Sequence, residues 1–219
     1  MSRFFVALTL SSVFGLASAI RAEDYKLEKP GALPTGLAAD VSQALRTDGY
    51  RVSGPDGPMV DLWLAKDIAA RKDFKPTLNV KYPLQPGQLI GVLQVNQGTA
   101  FSDFRKQVIA PGLYTVRYGQ QPQDGNHIGT SDFSDFLLAL PAGDDKSPQG
   151  LENVKDLQAR SAAAAGTAHP AILQLLPNEE QPAGAKLVHD ADREFWTLEF
   201  AGGSPPVPFK LVVVGAGAE

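Results

Sequence analysis

The chain of 219 residues contains no cysteine, and histidine, methionine and tryptophan are rare. Without cysteine there can be no disulfide bond, no thiol nucleophile and no lipid-modified cysteine. Stability must therefore come from an ordinary buried core. A chain of this length is sufficient for one domain with such a core, since domains of about 100–200 residues are the norm.

An excess of basic residues is also missing. The chain has 20 Lys and Arg against 24 Asp and Glu, a net charge of -4, and the basic residues are scattered along it. Such a chain has little to attract a phosphate backbone. We therefore exclude nucleic acid as a partner.

The one long apolar run spans residues 4–16, between Arg3 and the small-residue triplet 17–19. It is shorter than the roughly 20 residues that a membrane-spanning helix needs. Its position and flanks predict a secretory signal peptide over residues 1–19, cleaved after Ala19 or, as second choice, after Ala22. We expect a periplasmic or extracellular protein with no integral membrane segment after cleavage.

The mature chain is predicted to be a single domain over residues 35–215, preceded by an exposed arm at 20–34 whose composition is charged and broken by Pro and Gly. Thr35 is a possible N-cap for a short helix, because apolar residues follow it at helical spacing. A second helix is predicted over 150–165, after Ser147 and Pro148, within an insertion at about 147–166.

Most of the remaining sequence alternates between apolar and polar residues with a period of two, and turn-forming Gly and Pro separate the runs. Short alternating strands of this kind indicate an antiparallel β-sandwich, mainly β, with the two helices as minor elements. The predicted strands cover residues 50–53, 59–64, 78–82, 89–95, 114–118, 136–140, 196–200 and 209–214.

Residues 108–116, VIAPGLYTV, resemble the corner-and-strand pattern of immunoglobulin-like and fibronectin type III domains. The resemblance implies a β-sandwich in which the Tyr114 hydroxyl bonds to backbone upstream. It implies a fold and no particular function. The two cysteines of antibody domains are absent.

A polar loop at 120–135 joins two predicted strands, and loops on a rigid sandwich often carry function. Matched to the calcium-binding loop template, its residues Asp124, Asn126, Asp132 and Asp135 fall at positions one, three, nine and twelve, with glycine at position six. Ile128 occupies position five, where an oxygen ligand belongs. The alternative is that these Asp and Asn residues cap turns.

Three histidines, His127, His169 and His189, are far apart in sequence. With Asp124, Asp190 or Asp192 they would make a copper or zinc site if the fold brought them together. The alternative is that they are separate surface residues.

Trp63 lies between Leu62 and Leu64 in a predicted strand, so its ring faces away from theirs. If it is exposed, Trp63 would form a flat platform for sugar rings, joined by Tyr82 and also Tyr25. The alternative is that the amino-terminal arm or the second helix covers it.

The sequence contains no G-x-S-x-G nucleophile elbow of hydrolases and no glycine-rich phosphate-binding loop. It also contains no closely spaced pair of histidines typical of metal sites. We therefore expect a binding or structural module without catalysis or an obligatory cofactor, whose partner is a protein or a glycan. The alternatives are a protein that binds a metal ion through the 120–135 loop and a carbohydrate-binding module that uses the exposed aromatics.

Overall fold

The fold is taken from a computed structural model, which describes residues 25–121 and 131–217. The predicted signal peptide, and the loop residues Asp124, Asn126 and His127, lie outside the described residues. In the described part, neither helix has the length and apolar character that crossing a membrane requires.

The described residues form ten strands and two helices. In chain order they are β1 Lys26–Glu28, α1 Ala39–Ala44, β2 Leu45–Gly54, β3 Gly57–Ala65, β4 Leu89–Val95, β5 Gly112–Gln120, β6 Asp135–Pro141, α2 Val154–Ala165, β7 Ile172–Gln174, β8 Lys186–Asp190, β9 Phe195–Gly202 and β10 Val207–Val214.

Strands β1 to β7 form one sheet in consecutive order, and β8 to β10 form a second sheet. All pairs of neighbouring strands in the two sheets are antiparallel. The predicted mainly β, antiparallel sandwich with a short amino-terminal helix and one inserted helix is confirmed. Its strand order is a simple meander, whereas an immunoglobulin chain passes back and forth between its two sheets.

The main core lies between the inner faces of the two sheets and follows the alternation of the strands. Val60, Leu62 and Leu64 of β3 point into it. Aromatic pairs cross the core: Tyr50 of β2 packs against Phe200 of β9, and Tyr82 of the β3–β4 connection packs against Phe209 of β10, with ring centroids 5.4 and 5.5 Å apart.

The two helices cover apolar patches on the outer face of the large sheet. The α1 region buries Trp63, which packs with Val41 and Leu45. Leu157 of α2 packs on the outward-facing Phe136 of β6 and its neighbours. Trp63 is therefore covered, as one of the two alternatives held, but mainly by α1 and not by the second helix; Leu33 is the arm residue that packs against it.

The hydrogen bond predicted between the Tyr114 hydroxyl and upstream backbone is present. The hydroxyl donates to the Ala110 carbonyl oxygen at 2.7 Å. The bond fixes the entry of the chain into β5.

The strand predicted at 78–82 is wrong. Residues 66–88 connect β3 to β4 without regular structure, Leu78 is 85% exposed, and Tyr82 alone of the alternating set is deeply buried. Pro76 and Pro83 flank the segment and have no N–H group to donate to a sheet. Alternation over five residues was not sufficient to identify a strand here.

Three short strands, β1, β7 and β8, were not predicted. β1 lies in the segment expected to be an exposed arm, and Leu27 packs against the core. The helix bounds also differ. α2 begins after Asn153, and the N-cap of α1 is Ala38, without a side-chain hydrogen bond, where Thr35 was expected.

Candidate functional site

A cavity of about 350 Å³ lies against α2 and the outer faces of β6 and β7. We call it the α2 cavity. Its volume falls within the range of small-molecule sites, roughly 300–1,000 Å³. The described residues that line it are Arg105, Gln121, Ser131, Phe136, Lys155, Gln158, Ala159, Ala168, His169, Pro170, Ile172 and Gln174.

The wall of the cavity on the α2 side is a helical face. Lys155, Gln158 and Ala159 are three and four residues apart, so they lie on the same side of the helix. Opposite them, Phe136 of β6 and Ile172 of β7 supply an apolar surface. The lining therefore combines apolar and polar side chains.

Both ends of α2 are fixed. The Asn153 side chain accepts hydrogen bonds from the backbone N–H groups of Lys155 and Asp156, and Gly166 ends the helix in the left-handed conformation at φ 62°. Ser161 is buried and its hydroxyl accepts a hydrogen bond from the Ala171 N–H at 3.0 Å. The helix wall is thus tied to the start of β7.

A buried arginine holds the chain that leads into α2. Arg117 of β5 is fully buried and binds Asp145 through two of its nitrogens, at 2.5 and 2.9 Å. Its remaining donors reach the carbonyl oxygens of Ser147, Gln149 and Gly87. Every N–H of this guanidinium is directed at an acceptor, which is the condition for burying it without a large cost.

Gly87 is required at this point of the turn before β4. Its φ is +86°, and a Cβ atom there would lie 1.8 Å from the carbonyl oxygen of Leu151. Only glycine allows the turn and residues 149–151 to approach this closely.

The loop that carries Arg105 is organised by Asp103. This buried carboxylate accepts hydrogen bonds from the backbone N–H groups of Arg105, Gln107 and Ile172. The Gln107 side chain then reaches the Pro170 carbonyl oxygen at 3.0 Å. Arg105 is consequently placed beside β7 and the 168–170 segment.

A buried polar network lies at the end of the core next to the cavity. The Tyr118 hydroxyl donates to Asp135 Oδ1 at 2.5 Å, and the Lys81 N–H donates to Oδ2 at 2.6 Å. Gln174, which lines the cavity, donates to the backbone carbonyl oxygen of Asp135. Burial raises the pKa of the Asp135 carboxyl, and these hydrogen bonds offset the rise only in part.

The residues proposed for a metal ion are not brought together within residues 25–121 and 131–217. No group of three or more His, Asp or Glu side chains there could hold an ion. Asp132 is exposed, and the Asp135 carboxylate is occupied by protein donors. His169 lines the α2 cavity, while His189 of β8 stacks on Trp196 with ring centroids 4.7 Å apart.

The aromatic residues proposed as a sugar platform are buried. Trp63 is 1% and Tyr82 is 3% exposed. The Tyr82 hydroxyl donates to the Leu176 carbonyl oxygen, and Tyr25 packs against Trp196. Neither Trp63 nor Tyr82 offers a ring face to a ligand.

A second groove, of about 540 Å³, lies among residues 65–71, 85–89 and 148–150. It is more open than the α2 cavity. Its Gln88 side chain already binds the Ala69 carbonyl oxygen and the Gln85 N–H. The α2 cavity is the better enclosed of the two.

The comparisons with family models, curated proteins and solved structures found no match for this chain. Function is therefore argued from the α2 cavity itself.

Sequence reasoning missed the cavity because its lining comes from segments distant along the chain. Arg105 lies in the β4–β5 connection, Lys155 in the inserted helix and His169 after it. The loop 120–135 was singled out, and residues at its two ends, Gln121 and Ser131, do line the cavity. That loop and His169, which was considered as a metal ligand, were the sequence signals near the site.

Proposed function

We propose that this chain is an exported, non-catalytic binding protein whose ligand occupies the α2 cavity. One observation supports the site: a partly enclosed space of about 350 Å³ that is lined by both apolar and polar side chains. Ligand sites in proteins have this composition. The export part of the proposal rests on the signal peptide that the sequence predicts at residues 1–19.

The polar side chains favour binding over catalysis. Ser131 and His169 both line the cavity, but among the described residues no hydrogen bond joins them into a nucleophile and base. Arginine and glutamine hold and orient ligands and are not general bases at neutral pH. A supporting scaffold fixed by Asn153, Asp103 and Arg117 suits a preformed binding site.

The site is tested with two fluorescent probes, anilinonaphthalene sulfonate and its uncharged analogue phenylnaphthylamine. The protein should bind at least one of them with a stoichiometry of one. Ala159→Trp fills the cavity from the helix wall and should weaken that binding at least about tenfold. Ala163→Trp is the matched control, because Ala163 is an exposed residue of the same helix outside the cavity lining.

Absence of binding of either probe, or equal weakening by both tryptophan variants, would contradict the proposed site. The non-catalytic part is tested with chromogenic esters, phosphomonoesters and glycosides. Hydrolysis that Ala159→Trp abolishes and Ala163→Trp preserves would show instead that the cavity is an active site.

A further inference from the structure

The α2 cavity carries basic side chains from three separate segments. Arg105 comes from the turn after β4, Lys155 from the first turn of α2, and His169 from the connection to β7. None of the described residues that line the cavity is acidic. The chain as a whole has a net charge of -4, so the local charge of the cavity opposes that of the protein.

These basic groups have no partner in the part of the chain that the structure describes. The Arg105 guanidinium and the Lys155 ammonium take part in no ion pair there. By contrast, Arg51 is paired with Asp61, Arg160 with Asp156, and Lys186 and Lys210 both with Glu199. Arg105 and Lys155 thus bring two positive charges without an ion-pair partner to one cavity, whereas exposed lysines such as Lys72 and Lys75, which also take part in no ion pair there, lie outside it.

The two acids next to these groups in sequence are engaged in other contacts. Asp103 precedes Arg105 by two residues. Its buried carboxylate accepts hydrogen bonds from backbone N–H groups and from the Gln107 side-chain amide. Asp156 follows Lys155, and its carboxylate pairs with Arg160 one turn along the helix at 3.0 Å. Neither carboxylate forms an ion pair with Arg105 or Lys155 in the described part of the chain.

Apolar side chains also line the cavity, namely Phe136, Ala159, Ala168, Pro170 and Ile172. The buried Gln174 lies among them, and its amide donates hydrogen bonds to backbone carbonyl oxygens. A ligand that fills this space would contact the ring of Phe136 with one part and the basic edge with another. Apolar contact supplies affinity, and a charge-assisted hydrogen bond fixes orientation.

We infer that the ligand of the α2 cavity is an organic anion, with a carboxylate, sulfonate or phosphate head group and an apolar body. The head group binds Arg105 and Lys155, and the His169 imidazole donates or accepts a further hydrogen bond. The body lies on Phe136 and Ile172. The inference rests on the proposed function, because it names the chemistry of the ligand at that same site.

The same two probes test the charge, because they share an apolar body and differ by one sulfonate. The wild-type protein should bind anilinonaphthalene sulfonate at least about tenfold more tightly than phenylnaphthylamine, and added salt should reduce the difference. The double variant Arg105→Gln, Lys155→Gln should weaken sulfonate binding about tenfold. It should leave binding of the uncharged probe within about twofold.

The matched control is Lys72→Gln with Lys75→Gln. It changes the net charge by the same amount at exposed residues outside the cavity. It should leave the preference for the sulfonate intact. A fall as large as that of the cavity variant would show a general effect of net charge and would overturn the inference.

The outcomes separate the two proposals. Equal affinity for both probes, with weakening by Ala159→Trp, would overturn the anion inference and leave the proposed site standing. Failure of both probes to bind would overturn both. Tight sulfonate binding that depends on Ala159, Arg105 and Lys155 would support both.

Discussion

Arg117 and Asp145 form a buried ion pair that joins the middle of β5 to the segment leading into α2. The guanidinium is fully buried and the carboxylate is 2% exposed. Thr115 also donates a hydrogen bond to this carboxylate. Because the same arginine binds three backbone carbonyl groups, the pair fixes the path of residues 145–149 and, through them, the wall of the α2 cavity.

Asp145→Ala should lower the free energy of unfolding by about 3–5 kcal/mol, because it leaves Arg117 buried and without its counter-charge. Urea denaturation measures the change. The control is Asp48→Ala, which breaks the exposed pair of Asp48 with Arg46 and should cost at most about 1 kcal/mol. If the two variants lost the same stability, the anchoring role of Arg117 would be refuted.

Tyr114→Phe should lower the free energy of unfolding by about 0.5–1.5 kcal/mol, because it removes the hydrogen bond to the Ala110 carbonyl oxygen and little else. Tyr50→Phe is the matched control. Tyr50 packs on Phe200 through its ring. An effect of Tyr114→Phe no larger than that of Tyr50→Phe would mean that the corner bond adds nothing to stability.

Asp135 makes stability depend on pH. Burial raises its pKa above the ordinary value of 3.8, so the folded protein holds the proton more tightly than the unfolded chain. The resulting stabilisation is fully present below that value and is lost as the pH rises through the folded pKa. The stability of wild type relative to Asp135→Asn should therefore fall from about pH 4 towards neutral pH.

Tyr118→Phe sharpens this test. The Tyr118 hydroxyl bond lowers the pKa of Asp135. Its removal should raise that pKa further and move the loss of stability to higher pH. Denaturation across the pH range measures both effects, and a stability difference between wild type and Asp135→Asn that did not change with pH would refute them.

Much of the fold could be predicted from the sequence, because local alternation and core packing agree in the long strands. Tyr114, Val116 and Tyr118 of β5 alternate and all point into the core. The same reasoning placed Trp63 on the outer face. What it could not decide was whether another segment covers that face, and α1 does.

Prediction failed where few residues carry the signal or where tertiary contacts override it. β1 and β7 have three residues each, too few to show a period. Residues 78–82 alternate clearly, yet Leu78 is exposed. Tyr82 is buried, and its hydroxyl donates a hydrogen bond to the Leu176 carbonyl oxygen.

The candidate site was beyond prediction for a different reason. Arg105, Lys155 and His169 follow no common spacing, and each is unremarkable in its own segment. Only the packing of α2 on β6 and the turn organised by Asp103 bring them to one cavity. A sequence pattern cannot show that residues from three separate segments line one cavity.

The predicted signal peptide implies a defined amino terminus. When the full-length chain is expressed in a bacterium, the protein should be recovered from the periplasm or medium beginning at Ile20, as intact-mass spectrometry can show. Ala19→Trp should block this cleavage, because signal peptidase requires a small residue at that position. A product beginning at Glu23 would indicate the second site, and a cytoplasmic product that keeps Met1 would contradict export.

The most direct test of the binding site is a heteronuclear NMR titration of the protein with anilinonaphthalene sulfonate. The largest amide shifts should fall on the described lining of the α2 cavity, at Arg105, Lys155, Gln158, His169 and Ile172, and should saturate together at one equivalent. Shifts that instead centre on the groove at 65–71 and 85–89, or that spread over both sheets without saturating, would contradict the account.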